Sequence, residues 1–267
     1  MPQPNFHFGE VRNGIPEGIE LSNLESENEH NHFPEELAEE RGDNVLRRGS
    51  RFPYHEDGTD EDYEEYFYYR YTSEVVQSGV RLNDEGEDDE FNTLARDTME
   101  FILLGDGRFI YESSTDIGPG NALEVLFGEI PDYESDMSIT TSILRDYYDD
   151  HDQIGEVTVG GIDATGVGSS GTDLRRAVVE AGRISDKITF NTGTDREANL
   201  KESTLIDEFV SLGEVSQITV TNSGENNKEL SDNNWVSFYY PEALEPRARS
   251  RLIYKRVKPI LDVVNPV

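Results

Sequence analysis

The chain has 267 residues, no cysteine and a formal net charge of −33, from 56 Asp and Glu against 23 Lys and Arg. Its length allows one large domain or two ordinary ones, each able to bury a core. The missing cysteines exclude disulfides, thiolate nucleophiles and Cys-ligated zinc or iron–sulfur sites.

Self-repulsion on this scale opposes compaction in dilute buffer, but charges are screened within about 3 Å at 1 M salt, so the composition points to a halophilic, archaeal host. The competing explanation, an acidic surface imitating the phosphates of DNA, requires the acids to be localised. Residues 1–150 carry a net −28, residues 151–246 a net −10 and residues 247–267 a net +5, so acid covers both large segments. No run of about 18 apolar residues occurs. The start, MPQPNFHFGEVRNG, lacks the basic and apolar regions of a signal peptide. A soluble, cytoplasmic protein without a membrane partner is expected.

Residues 1–62 are polar and acidic, and partial disorder is expected there. Within them NFHFGEV alternates like an edge strand, and FPEELAEERG has Pro34 near a helix start and Gly42 just past its end. Residues 63–131 form an expected α+β subdomain. YEEYFYYRYTSEVVQSGVRL concentrates aromatic and β-branched residues as strands do, and NDEGEDDE is an acidic loop. TMEFILLGDGRFIYESS is the clearest hairpin, with two apolar runs around Gly105-Asp106-Gly107. PGNALEVLFGEI fits a helix, with Leu123, Leu126, Phe127 and Ile130 at helical spacing.

Residues 132–245 read as a second subdomain. SITTSILRDYYDDH is an expected helix with Ser138 as a possible cap. GEVTVGGI, TDLRRAVVEAG, DKITFNTG, REANLKESTLIDEFVSLG and SQITVTNSG then alternate as β-α-β-α-β, and NNWVSFYYPE adds a strand. Such alternation favours parallel neighbours, although a split order gives the same linear string. The fold class is therefore α+β, with a hairpin-containing N-terminal half and a β-α-β-α-β C-terminal half.

Several chemistries are absent from the sequence. No Gly-Lys pair occurs, which removes the P-loop, and none of the lysines follows an acid by two residues, the arrangement common in restriction-type nucleases. There is no His-Glu-x-x-His, no Gly-x-Ser-x-Gly and no EF-hand loop. The balance leans away from an enzyme, and no cofactor or specific metal is expected. His7, His30, His32, His55 and His151 have acidic neighbours, as any histidine in so acidic a chain does. The aromatic blocks YFYYRY and FYY could stack bases, but strand alternation accounts for them more simply as core on one side and helix contact on the other.

Two segments carry positive signals. GVGSSG, Gly166 to Gly171, has Gly166, Gly168 and Gly171 in a Gly-x-Gly-x-x-Gly spacing between an expected strand and helix, where backbone amides can cradle a phosphate. Six residues separate it from the strand, Asp195 is only approximately placed for a ribose, and a plain glycine connection explains it as well. The second is the basic segment, residues 246–267. Read as a helix, PRARSRLIYKRVKP places Ile253, Val257, Ile260, Leu261 and Val264 on one stripe. Arg247, Arg251, Lys255 and Lys258 form another row, and Arg249 and Arg256 border the stripe. Pro259 is expected to end or kink the helix.

Three functions follow as expectations. The leading one is a non-catalytic binding or regulatory protein whose Arg251 row meets a protein partner, the chain's own acidic surface or, less favoured, nucleic acid. The second is an enzyme holding a nucleotide or phosphorylated substrate at Gly166–Gly171, with Asp163 or Asp195 nearby. The third is an accessory or structural protein of a virus or mobile element.

Overall fold

The computed structural model describes residues 4–17, 47–54, 66–82, 87–113, 118–135, 137–162, 172–193, 198–220, 228–241 and 244–264. The fold is α+β, with antiparallel sheet and helices. The chain divides into two compact units: Phe8–Ser135 with Glu245–Lys255, and Met1–His7 with Asp136–Leu244 and Arg256–Val267. No helix among the described residues is long and apolar enough to cross a membrane.

The first unit contains the end of β1 (Asn5–Val11), β2 (Arg47–Tyr54), β3 (Tyr66–Leu82), β4 (Asp88–Leu104), β5 (Arg108–Glu112), α1 (Pro119–Phe127), β6 (Tyr133–Glu134) and the start of α5 (Pro246–Leu261). Its strands run in the order β2-β3-β4-β5-β1, with β6 paired to β1. β1 is thus flanked on both sides, not an edge strand, and the burial of Phe8 and Val11 agrees with that. Residues 66–82 and 88–104 pair along their whole length, from Tyr66 opposite Leu104 to Leu82 opposite Asp88. The acidic tract expected to be a loop therefore enters β4 at Asp88, because ladder hydrogen bonds to β3 do not require apolar side chains. The hairpin at Gly105–Gly107 is present. Gly107 takes φ +92°, a conformation that disfavours any Cβ, and Asp106 accepts from the Arg108 backbone at 3.0 Å.

Alternation along β3 and β4 gives the sheet two apolar faces. Phe67, Tyr69, Met99, Phe101 and Leu103 pack with Ala122, Leu123 and Leu126 of α1 on one of them. Each such side chain contributes about 1.5–3 kcal/mol on full burial. α1 ends at Gly128 in the left-handed conformation, so Ile130, expected within the helix, lies beyond it and is exposed.

The second unit holds the start of β1, α2 (Thr141–Asp150), β7 (Ile154–Gly160), α3 (Asp173–Ile184), β8 (Lys187–Asn191), a turn of 3-10 helix at Leu200–Glu202, α4 (Thr204–Leu212), β9 (Glu214–Val220), β10 (Lys228–Ser231), β11 (Trp235–Phe238) and the end of α5. Its order is β1-β11-β10-β9-β7-β8. β7 pairs antiparallel with both β8 and β9, which corrects the expectation of parallel neighbours. A helix-length connection permits a parallel crossover without demanding one, and the linear order of elements carries no register. Thr140, not Ser138, caps α2 by accepting from the Ile143 amide at 3.4 Å. Arg145 then donates to the carbonyls of Val210 and Gly213, at 3.0 and 2.6 Å, closing the C-terminus of α4. β10 was not foreseen, because KELS is short and half charged.

The predicted helix at FPEELAEERG lies outside the described residues, as do most of residues 1–62.

Candidate binding surface on the C-terminal helix

α5 forms as its sequence dictates, with Pro246 in the first turn, where a missing amide costs nothing, and a stripe of aliphatic residues at helical spacing. Ile253, Val257, Ile260, Leu261 and Val264 are all buried. The helix does not end or kink to a stop at Pro259. It continues to Leu261, and the Asp262 and Val264 amides still reach the carbonyls of Lys258 and Ile260 at 3.0 Å each. Burial of Ile260, Leu261 and Val264 outweighs the one hydrogen bond that proline removes.

The six cations of this segment have separate fates. Arg249, placed at the border of the stripe by the sequence, is 3 % exposed and donates to Glu100 Oε1 at 3.0 Å. Glu100 is itself 3 % exposed; its other oxygen accepts from the Tyr68 hydroxyl, and Arg70 Nε lies 3.3 Å from Oε1. Tyr66 and Tyr254 stack, with ring centroids 4.2 Å apart at 15°. Burial, and then the charge of Glu100, push the Tyr68 hydroxyl far above the usual tyrosine range. Tyr66 to Tyr69 are buried on the two faces of β3, so their rings serve the interior and not a stack of bases.

Arg251 and Lys255, one turn apart, are exposed. Lys258 continues their row but is half-buried, and its ammonium reaches both carboxylate oxygens of Asp262 at 2.7 Å. The Arg247 side chain lies outside the described residues. Arg256 sits with its guanidinium over the Phe238 ring, 5.7 Å from the centroid.

Of the other candidates, Asp163, Gly166, Gly168, Gly171 and Asp195 lie outside the described residues, together with His30, His32 and His55. His151 Nδ1 is 2.8 Å from the Tyr147 carbonyl oxygen. Among the described residues no group of three or more His, Asp or Glu is arranged to hold a metal ion.

Sequence reasoning missed Glu100 and Lys228. Glu100 shares an apolar run with Phe101–Leu104, and an acid in such a run is the signal that points to a buried partner. Lys228 carries no such signal, since its neighbours in sequence are polar. The chain matches no protein-family model, and no curated protein matches it.

Proposed function

We propose that the chain is a non-catalytic binding or regulatory protein of a halophilic, archaeal cytoplasm that engages an acidic partner through the outward face of α5. The observation that carries this reading is the exposure of Arg251 and Lys255 on a helix whose aliphatic stripe is buried. A docked helix holds its cations in a defined row, and a basic row on a chain of net −33 attracts an acidic surface while the rest of the molecule repels it. Affinity from phosphate neutralisation alone falls steeply with salt, so at high salt a protein offering shape contacts as well is the favoured partner over nucleic acid.

The test is the double reversal Arg251→Glu/Lys255→Glu in the full chain. Thermal stability is expected to stay within about 0.5 kcal/mol of wild type, as for surface changes generally. Partner recovery from lysate at native salt, assayed for protein and for nucleic acid, is expected to fall at least tenfold. Undiminished recovery by a folded variant overturns the reading.

A further inference from the structure

Lys228 opens β10 with Val220 opposite it on β9 and Phe238 opposite it on β11. Its side chain is 8 % exposed. Among the described residues its ammonium has no hydrogen-bond or ion-pair partner; it lies over the ring of Tyr147, 5.1 Å from the centroid. An aromatic face attracts a cation but does not replace a counter-ion. Two described acids close in sequence, Glu229 and Asp232, have other partners. Glu229 follows on the opposite face of the strand and accepts from Gln217, and Asp232 lies 3.9 Å from Lys187.

A second cation is close to the first. Arg256 rests over Phe238, the residue opposite Lys228 in the β10–β11 register, and its charge acts on both Lys228 and Tyr147. Burial first, and then Arg256, lower the Lys228 ammonium to about 7. Among the described residues, then, a buried lysine lies near an arginine with no carboxylate on the ammonium.

We propose that Lys228 and Arg256 form a binding site for a small oxyanion, a carboxylate or inorganic phosphate, with Tyr147 and Phe238 holding the two cations in place. The ammonium supplies up to three donors and the guanidinium a planar fork, the pairing that suits either oxyanion. An anion there neutralises an ammonium that has no counter-ion among the described residues, and the two ring contacts restrict both side chains before it arrives. The site uses neither Arg251 nor Lys255 and does not depend on the function proposed for them.

The experiment uses the full-length chain labelled with 15N-lysine, whose five lysines give a resolvable set of side-chain signals. Sodium acetate and, separately, sodium phosphate replace sodium chloride at constant ionic strength. The site predicts a saturable change in the Lys228 signal, a rise of at least one unit in its titration midpoint and a higher melting temperature. A response to acetate alone identifies a carboxylate site, and a response to phosphate alone a phosphate site. Lys228→Met and Arg256→Gln are expected to lose the saturable gain in melting temperature, while Arg251→Glu keeps it. No saturable response, a response to chloride only, or an equal response in a folded Lys228→Met overturns the proposal. The wild-type lysine signal decides the question even where a variant fails to fold.

Discussion

Glu100 and Arg249 are 149 positions apart in sequence, and their side chains meet at 3.0 Å with almost no exposure to solvent. The pair ties β4 to the first turn of α5 within the unit that contains both. Taking two charges out of water costs several kcal/mol for each, offset here by their mutual attraction, the Tyr68 hydroxyl and the nearby Arg70.

Removing one partner strands the other. Glu100→Gln is therefore expected to lower unfolding free energy by about 3–5 kcal/mol, the range for a broken buried pair. Replacing both at once, Glu100→Met with Arg249→Met, should recover most of that loss, because no charge is then left buried and unpaired. Denaturant unfolding at fixed high salt measures both; a double variant as unstable as the single would show that packing, not charge, sets the cost.

Lys228 gives the stability a pH dependence of known sign. Its folded value is lowered to about 7, against about 10.4 for an unfolded lysine. Between those values the unfolded chain binds the extra proton, so this residue's contribution to stability rises with pH from about 7 and levels off near 10. Below about 7 the lysine is charged in both states and the full cost of burying it is present. Lys228→Met should remove a slope of up to about 1.4 kcal/mol per pH unit in that window and raise stability at pH 6. Unfolding curves at pH 6, 7, 8 and 9 without added oxyanion check this.

Gly213 follows α4 where a Cβ would stand 2.3 Å from Val159 Cγ1 and 2.8 Å from the Gly160 carbonyl oxygen. A methyl group there has no room, since one of the clashes is with backbone. Gly213→Ala is expected to cost about 1–3 kcal/mol through overpacking, read as a lower denaturation midpoint with an unchanged m-value.

Pro259 sits inside α5 with Ile260 and Leu261 buried behind it. Pro259→Ala supplies the amide that the Lys255 carbonyl lacks, in a helix already formed on both sides of the position. The variant should melt higher, with a gain of about 1 kcal/mol or more, below the roughly 3 kcal/mol cost of proline at a helix centre because the position is close to the end.

The amphipathic elements were legible in the sequence. The β4–β5 turn, α1, α3 and the buried stripe of α5 follow from periodicity and from glycine and proline punctuation, which act over a few residues. The places where long-range pairing decides were not legible. Ile130 fell outside α1, Ser138 gave way to Thr140 and the polar first half of β4 joined the hairpin, because caps and ladders answer to the backbone around them.

By itself the sequence determined the α+β class, the overwhelming acidity and the two-faced character of the C-terminal helix, all properties of local pattern and composition. Only the tertiary structure decided that β7 lies antiparallel between β8 and β9, that Arg249 meets Glu100, and that Lys228 is buried near Arg256 with no carboxylate on it among the described residues. Each of these depends on which distant segments share a sheet or a core. The burial that turns a charged residue into an ion pair or an unmatched cation exists only once the chain has closed around it.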